Sequence, residues 1–347
     1  MEQPVFAIGS LKRFSEFISK LDESKVVIVS HTDLDGISSA KIVNECVHAD
    51  EILFVNYDEL SRDLDKRLES LKPSKVIFTD LFFKNDAVIK EIEKFADILI
   101  IDHHVPERDL NSERTVHLNA QGYCAAYICY ALFSGICDLK KWDWLVAAAS
   151  IADVQYHQNN EFMKSVFSRY GEDFIPDESH IEKTRVFRYS WNISLALFCY
   201  SNNLKEVFDT ITDFEQYGNL KTGINAVQAD YEEQLSKFEK SREKFFNDST
   251  GEGYFCELNP RFNIISILST TLSFREKNKT FVFLSRIDGM CRFSARRQDG
   301  GADLNLAMSK LCSGIPGSSA GGHKKAAGGS FSAEYIDEFK KRLGLSL

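Results

Sequence analysis

The stretch VVIVSHTDLDGISSA, residues 26–40, decides the fold of the N-terminal part of this chain. It begins with a run of β-branched residues, which is typical of a buried strand. The run stops at three polar residues, His31, Asp33 and Asp35, and Gly36 opens a segment with a helical pattern. Because ligands of open parallel sheets bind beyond the carboxyl ends of the strands, this order predicts a ligand site at the tip of the first strand.

Short apolar runs and helical patterns alternate along the N-terminal half of the chain. Further apolar runs lie at 51–56, 75–80 and 97–102. Helical patterns lie between and after them, at 36–48, 58–71, 84–95, 122–135 and 142–155. Strands and helices that alternate at this spacing predict crossover connections and a parallel sheet covered by helices on both faces.

Two further segments differ from the N-terminal half in the secondary structure that their sequence patterns predict. Residues 158–255 contain no convincing strand, and apolar residues at a helical spacing over 224–245 predict one long helix there. Residues 256–347 combine two strand-like runs with two helical segments. The sequence therefore predicts an α/β protein with a parallel-sheet domain over 1–157, a helical connector over 158–255 and a smaller α/β domain over 256–347.

Charge is distributed unevenly along the 347 residues, whose net charge is −9. The first 157 residues hold 17 Lys and Arg against 26 Asp and Glu, whereas the residues after 255 hold 14 against 8. A negative net charge argues against a sequence-independent nucleic-acid binder. The asymmetry is consistent with a cation-binding part and an anion-binding part, or with chance variation of surface charge.

The eight cysteines are scattered and contain no C-x-x-C pair. Buried, reduced thiols are therefore expected, rather than disulfides or a zinc site. The apolar stretches are too short for a membrane span, and the first residues lack the pattern of a secretory leader. A cytoplasmic protein with no membrane partner is the expectation.

Acidic and imidazole side chains recur at the predicted strand ends. Asp80 closes the third apolar run, Asp102, His103 and His104 close the fourth, and Asp153 lies within the apolar run AAASIADV. Each residue alone has a structural explanation, such as a turn at Asp80 or a paired core acid at Asp153. For Asp35 the structural explanation is a helix N-cap.

Several such carboxylates at one edge of a sheet would repel one another and raise each other's pKa values, unless cations were bound. Oxygen ligands with one or two imidazoles favour Mn²⁺ or Mg²⁺ over zinc. The repeated carboxylates suggest two ions that hold a phosphoryl group and lower the pKa of a bound water.

These motifs also resemble a known family. HTDLDG (31–36), Asp80, DHH (102–104) and Asp153 are similar to the four motifs of the DHH phosphoesterase superfamily, and GSSAGGHKKAAGGSF (317–331) with RFSAR (292–296) resembles its C-terminal DHHA1 module. The spacing H-x-D-x-D-G is similar to that of RecJ and its archaeal relatives, which are exonucleases for single strands. Small-oligonucleotide and phosphoadenosine phosphatases usually have H-x-x-x-D-x-D, and the pyrophosphatases of the superfamily have a different C-terminal module.

The resemblance implies a role for each matching residue. His31 and Asp33 would hold one metal ion, Asp35, His103 and Asp153 a second, and Asp80 would bridge both. Asp102 would orient His103, and His104 would face the scissile phosphate. In the C-terminal module, Arg296 would bind substrate and Gly321, Gly322 and His323 would form a glycine-rich anion loop. The active-site cleft would lie between the DHH and DHHA1 domains.

The activity implied is that of a phosphodiesterase with two divalent cations, Mn²⁺ preferred and Mg²⁺ or Co²⁺ as alternatives. It would release 5′-mononucleotides from short single-stranded RNA or DNA. Two alternatives stay open: a hydrolase of small phosphorylated metabolites (a bisphosphonucleotide, a cyclic dinucleotide or polyphosphate) and a non-catalytic scaffold of a replication complex. Tyr189, Trp191 and Tyr200 are candidates either for base stacking or for helix packing.

Overall fold

The computed structural model describes residues 3–22, 24–60, 63–214 and 220–345. The chain forms two compact units, Met1–Ile224 and Asn225–Leu347. No helix in the described ranges is both long and apolar enough to cross a lipid bilayer.

In the described part of the first unit, five parallel strands form the central sheet. They are β1 (Val26–Ser30), β2 (Glu51–Phe54), β3 (Lys75–Thr79), β4 (Asp97–Asp102) and β5 (Thr115–Asn119), in the spatial order β2-β1-β3-β4-β5. The parallel sheet predicted from the sequence is therefore confirmed. The fifth strand was not predicted, because TVHLN carries a histidine in its centre and polar residues at both ends.

The helices of this unit cover the sheet and pack against one another. They are α1 (Leu11–Ile18), α2 (Leu34–Val47), α3 (Tyr57–Leu60), α4 (Leu64–Leu71), α5 (Ala87–Ile92), α6 (Ala125–Phe133), α7 (Asp143–Ala152), α8 (Asn160–Arg169), α9 (Glu178–Ile181), α10 (Arg185–Cys199) and α11 (Leu204–Thr210). Alternate strand residues, such as Val76 and Phe78, pack with Leu68 of α4 and Ile92 of α5 in one apolar core. The intervening strand residues are buried as well, as expected for a sheet covered on both faces.

The helix α12 (Lys221–Ser241) leads into the second unit, whose described residues form six strands. These are β6 (Glu243–Asn247), β7 (Gly251–Leu258), β8 (Thr280–Ile287), β9 (Met290–Arg296), β10 (Ser319–His323) and β11 (Ala326–Ser332), in the order β10-β11-β9-β8-β7-β6. The pair β7 and β8 is parallel, and the other pairs are antiparallel. The helices are α13 (Ile265–Arg275), α14 (Leu304–Cys312) and α15 (Ile336–Leu343).

The structure corrects the helix predicted over 224–245. The helix ends at Ser241, Arg242 has a positive φ of 35°, and the chain continues as β6. In β6 Phe245 is buried in the core of the second unit while Phe246 is 65% exposed. Phe245 and Phe246 therefore lie on a buried and an exposed face, as in a strand, although the spacing of the apolar residues predicted a helix.

The expectation of reduced cysteines is wrong for one pair, since Cys46 and Cys137 form a disulfide. The other six cysteines are free. The two partners are 91 positions apart in the sequence. They meet because Cys46 lies at the end of α2 and Cys137 follows α6, which packs beside α2. A pairing that depends on helix packing leaves no spacing signal in the sequence.

Candidate metal centre

The candidate site lies at the carboxyl edge of the first unit's sheet. The strands β1, β3 and β4 are neighbours. The residues that follow or end them, His31, Asp80 and Asp102, therefore come to the same edge, together with Asp153 at the end of α7. Side chains able to hold a metal form three groups there: His31, Asp33 and Asp80; Asp35, His103 and Asp153; and Asp80, Asp102, His103 and His104.

The first group surrounds the imidazole of His31. Its Nδ1 lies 3.0 Å from Oδ2 of Asp33 and 3.6 Å from Oδ2 of Asp80. The other oxygen of Asp33 accepts a hydrogen bond from the backbone N–H of Gly36 and caps α2. Asp33 therefore starts the helix with one oxygen and faces the imidazole with the other.

The second group surrounds the imidazole of His103. Its Nε2 lies 3.3 Å from Oδ1 of Asp80, 3.3 Å from Oδ2 of Asp153 and 3.7 Å from Oδ2 of Asp35. The two oxygens of Asp80 thus face two different imidazoles. This is the geometry that a bridging carboxylate between two cations would need.

Asp80 has an unusual backbone conformation, with φ at 58°, and so does Val154 directly after Asp153, with φ at 56°. Positive φ is uncommon for residues other than glycine and is disfavoured most for β-branched residues. Such strain tends to lie at functional sites, where the surrounding structure holds it in place. In both cases it positions a carboxylate of the site.

Asp35 also accepts two hydrogen bonds that the sequence does not predict. Its two carboxylate oxygens accept hydrogen bonds from the backbone N–H groups of Ala125 (2.7 Å) and Ala126 (2.8 Å). These groups begin α6, where the helix dipole favours a negative charge. The sequence suggested that Asp35 could cap its own helix, but it caps the N-terminus of another one.

The glycine of the motif HTDLDG is required by a close approach of the backbone. A Cβ atom on Gly36 would lie 2.3 Å from the carbonyl oxygen of His31. Since real Cβ atoms do not come this near, any larger residue would push the start of α2 away from His31. Gly36 therefore sets the position of Asp33 and Asp35 relative to the imidazole.

The electrostatics of the site are unfavourable for the carboxylates alone. Burial, together with repulsion by Asp80 and Asp153, raises the pKa of Asp35 well above its ordinary value. Burial also raises the pKa of Asp153 to about 6, although the nearby His103 opposes the shift. Without cations, both carboxyls therefore keep their protons up to a higher pH than an ordinary aspartate does.

The imidazoles respond in the opposite way. Burial would lower the pKa of His31, but the carboxylates of Asp33 and Asp80 outweigh it and raise the pKa to about 11. Burial is likewise outweighed at His103, whose pKa is raised well above its ordinary value by Asp153 and Asp80. Protonated imidazoles therefore offset part of the negative charge of the carboxylate cluster.

The site residues fit divalent cations. Nδ1 of His31, Oδ2 of Asp80 and Oδ2 of Asp153 are buried, and none of them has a hydrogen-bond partner among the described residues. Buried polar atoms normally have a partner. A cation in each group would supply that partner and offset the repulsion between the carboxylates, with oxygen and imidazole ligands that suit Mn²⁺ or Mg²⁺.

Asp102 has a different partner from the one expected. Its Oδ1 accepts a hydrogen bond of 2.8 Å from Nδ1 of His104, whereas the resemblance assigned it to the imidazole of His103. Burial would raise the pKa of Asp102, but His104 outweighs it and the pKa is lowered. Burial would lower the pKa of His104, and Asp102 raises it instead. The pair fixes the orientation of the His104 ring.

Sequence reasoning missed two residues at this edge. Asn119, at the end of β5, is buried and donates a hydrogen bond of 2.8 Å from Nδ2 to the carbonyl oxygen of His104. The ring of Tyr57, shortly after β2, lies 5.1 Å from the ring of His31 and 6.5 Å from that of His104. Only their positions in the sequence could have indicated a place in the site, since Tyr57 follows β2 and Asn119 ends β5 of the same sheet.

Arg296, in the second unit, ends β9. Its guanidinium donates hydrogen bonds to Oγ1 of Thr270 (3.1 Å) and to the carbonyl oxygens of Ala295 (3.0 Å) and Ala327 (3.2 Å). No described carboxylate forms an ion pair with it, and burial lowers its pKa to about 10, so it stays charged at neutral pH. An arginine without an acidic partner suits an anion.

The expected glycine-rich loop is a β-hairpin. Gly321 and Gly322 lie in β10, paired with β11, and the turn is formed by Lys324 and Lys325. Gly322 has φ at 148°, and a Cβ atom there would lie 2.2 Å from the carbonyl oxygen of Ala326. The register places His323 opposite Ala326, which itself pairs with Arg296. The side chain of His323 lies outside the described part of the structure.

The aromatic candidates of the middle segment lie on α10 and at its end. Tyr189 is buried, with its ring 4.2 Å from that of Phe214 and 6.4 Å from that of Trp144. Trp191 stacks on Phe187, one turn away, at 6.2 Å. Tyr200 is the residue at the C-terminal end of the helix. The contacts of Tyr189 and Trp191 favour the packing explanation over base stacking.

Comparison with known proteins agrees with this architecture. The family model described as "DHH family, N-terminal domain" matches residues 25–159, and the model of the DHHA1 domain matches residues 254–345. No protein of curated function shows significant sequence similarity to the chain.

Several solved structures share the fold. Exonuclease RecJ bound to manganese has a TM-score of 0.66 at 15% identity, over 96% of this chain and 93% of that one. RecJ from Thermus thermophilus in complex with Mn²⁺ has a TM-score of 0.65 at 16% identity, and the match covers 98% of this chain but only 55% of that protein.

A third structure is the pGpG-specific phosphodiesterase PggH from Vibrio cholerae, with a TM-score of 0.50 at 13% identity, over 92% of this chain and 97% of that one. At these identities the solved structures support the fold, and the two family models with the motif residues support the membership. The chain belongs to the DHH/DHHA1 phosphoesterase superfamily.

Proposed function

We propose that this protein is a metal-dependent phosphodiesterase that releases 5′-mononucleotides from the ends of short single-stranded RNA or DNA. The observation that carries the proposal is the position of Asp80, whose Oδ2 faces His31 at 3.6 Å and whose Oδ1 faces His103 at 3.3 Å. One carboxylate shared by two groups of ligand-type residues is what a two-cation phosphoryl-transfer site requires.

The residues divide into two ligand sets in this proposal. His31 and Asp33 would hold one cation, and Asp35, His103 and Asp153 would hold the other, with Asp80 in both sets. Mn²⁺ is preferred, with Mg²⁺ or Co²⁺ as alternatives, because the ligands are oxygen and imidazole rather than thiolate. When bound, the cations polarise the phosphoryl group and lower the pKa of the attacking water.

His104 is assigned to the substrate side of the site. Asp102 raises the pKa of His104 and fixes its ring, which favours the protonated imidazole. A charged imidazole donates a hydrogen bond to a phosphate oxygen and supplies a proton to the departing sugar oxygen. Asn119 holds the backbone carbonyl of His104 and so keeps the residue in place.

We further propose that residues 256–347 supply the anion-binding part of the enzyme, while residues 1–157 supply the catalytic part. The support is the guanidinium of Arg296, which has no acidic partner among the described residues. Arg296→Ala should raise KM for oligonucleotides by a factor of about 30 or more, as expected when a charge-assisted contact with phosphate is lost. A KM equal to that of the wild type would place the phosphate elsewhere.

A second candidate function is hydrolysis of a small phosphorylated nucleotide, such as a cyclic dinucleotide or a bisphosphonucleotide. The surplus of basic residues is confined to the segment after residue 255 in a chain of net charge −9, which favours a small substrate. The likeness to the pGpG-specific phosphodiesterase extends only to the fold. A scaffold without catalysis is less well supported, because the ligand-type residues of both sets are all present.

A substrate panel separates these functions. The pure protein is incubated with Mn²⁺ and end-labelled single strands of about two to about twenty nucleotides, with phosphoadenosine phosphate and with a cyclic dinucleotide. Release of 5′-mononucleotides from the short strands supports the exonuclease. Cleavage of a small nucleotide alone supports the second function. Failure to hydrolyse any of them with Mn²⁺, Mg²⁺ or Co²⁺ would leave the scaffold as the better explanation.

A further inference from the structure

Tyr57 occupies a place in the site that the proposed chemistry does not use. It begins α3 shortly after β2, the strand next to β1, and so lies at the same edge of the sheet as His31. Its ring is tilted by 38° against the ring of His31 at 5.1 Å and stands nearly perpendicular, at 89°, to the ring of His104 at 6.5 Å. Tyr57 thus contacts one proposed metal ligand and faces the proposed phosphate-binding histidine.

The phenol of Tyr57 lies near carboxylates of the site. The backbone of Phe82 opposes, by a small amount, the rise that burial causes in the pKa of the Tyr57 hydroxyl. Burial and the nearby carboxylates of Asp80 and Asp102 raise the pKa of the phenol, so the hydroxyl stays protonated. The phenol therefore lies beside the carboxylates that follow β3 and end β4.

The ring remains accessible although its neighbours are largely buried. Tyr57 is 39% exposed, whereas Asp80 is 1% and Asp102 3% exposed. The ring of Phe82, partly exposed, lies 6.4 Å from the ring of His104. Two aromatic rings therefore border a histidine in a site otherwise composed of carboxylates and imidazoles. Shielding of His31 alone would not need an exposed aromatic surface.

We propose that the ring of Tyr57 stacks on the nucleobase of the nucleotide whose phosphate is cleaved, so that the site selects nucleoside phosphodiesters over phosphoesters that lack a base. This inference rests on the proposed function and names the substrate class of the same site. Aromatic side chains stack on any base, because every base has a π-face, so the preference would be for the presence of a base rather than for its identity.

The test compares a dinucleotide with the same molecule lacking its terminal base. In the wild type, KM for the abasic molecule should exceed KM for the dinucleotide by a factor of about ten or more. Tyr57→Leu should abolish this ratio, whereas Tyr57→Phe should keep most of it, because the ring and not the hydroxyl makes the contact. A Tyr57→Leu enzyme that retains the full ratio would overturn the proposal.

A control and an independent readout complete the experiment. Phe246→Leu removes an exposed aromatic side chain of the second unit and should leave the ratio as it is in the wild type. Fluorescence of a 2-aminopurine mononucleotide should be quenched by the wild type and not by Tyr57→Leu, whether or not hydrolysis occurs. Equal quenching by both would contradict the stacking. Quenching without any hydrolysis would support the stacking and overturn the proposed function instead.

Discussion

Asp102 and His104 are joined by a hydrogen bond of 2.8 Å between Oδ1 and Nδ1, while His103, between them in the sequence, points into the carboxylate cluster. The rings of the two histidines lie only 4.4 Å apart. One histidine of the triplet thus contacts carboxylates that suit a metal ion, and the other is oriented by an aspartate. We infer that His103 is a metal ligand and that His104 transfers a proton.

Asp102→Asn should lower kcat by a factor of about 10 to 100, since it removes the charge that orients and polarises His104. Because Asp102 raises the pKa of His104, the variant should lose the proton of His104 at a lower pH. The alkaline limb of the kcat profile should therefore move to lower pH. Asp109→Asn, at a side chain 60% exposed, is the matched control. An alkaline limb that stays in place would separate Asp102 from the proton transfer.

Gly36→Ala should weaken both the fold and the metal site. The added methyl would lie 2.3 Å from the carbonyl oxygen of His31, so the start of α2 must shift. Such overpacking usually lowers the free energy of unfolding by about 1–3 kcal/mol. Gly135→Ala is the control, because a Cβ atom there meets nothing within 4 Å. Thermal unfolding and Mn²⁺ titration of both variants check the prediction; equal behaviour would show that the contact at Gly36 is relaxed easily.

Affinity for Mn²⁺ should rise as the pH rises from about 6 to about 8, because the cation must displace protons from its ligands. The pKa of Asp153 is raised to about 6 and that of His31 to about 11, so both groups hold protons over part or all of this range. Calorimetric titration at the two pH values measures the change. Affinity that does not vary with pH would mean that these groups are not ligands.

The stability of the metal-free protein should fall as the pH rises, whereas its affinity for Mn²⁺ should rise. The raised pKa of His31 contributes stability that is fully present below its ordinary pKa of 6.5 and is lost as pH rises towards about 11. In chelator, the first unit should therefore become easier to unfold above neutral pH, and Mn²⁺ should reverse this. Urea titrations at several pH values, followed by a probe in the first unit, check the sign.

Substrate length should matter only up to a few nucleotides. The acidic residues of the first 157 positions provide no long basic track, and the surplus of positive charge is confined to the C-terminal part. We expect kcat/KM to level off by about five nucleotides and salt to weaken binding with the slope of about two or three phosphate contacts. Efficiency that keeps rising to about twenty nucleotides would require a basic channel.

The part of the site that follows directly from strand ends could be predicted from the sequence. Apolar runs that stop at His31, Asp80 and Asp102 must bring these residues to one edge once the strands are parallel neighbours. The pairing of Asp102 with His104 could not be predicted, because it depends on the direction of each side chain after the strand. The two hydrogen bonds from α6 to Asp35 depend on helix packing across 90 positions.

Two strands, β5 and β6, and two residues near the site, Tyr57 and Asn119, could not be predicted from the sequence, for reasons that differ between them. β5 has a polar centre, so its burial follows only from its place beside β4. β6 continues the apolar spacing of α12, and only the tertiary contact of Phe245 with the second core separates the two. Tyr57 and Asn119 are single residues at strand ends, and their relation to His104 appears only when the sheet order is known.

The proposed two-cation centre is tested by counting Mn²⁺ ions per chain. Mn²⁺ is titrated into chelated protein, and the free and bound ions are followed by electron paramagnetic resonance. Wild-type protein should bind two magnetically coupled ions, and Asp80→Asn should lose at least one of them together with the coupling. Asp86→Asn, which removes a carboxylate that pairs with Lys90 at 2.9 Å and with Arg108 at 3.9 Å, should bind both. A single ion in the wild type, or two coupled ions in Asp80→Asn, would contradict a centre bridged by Asp80.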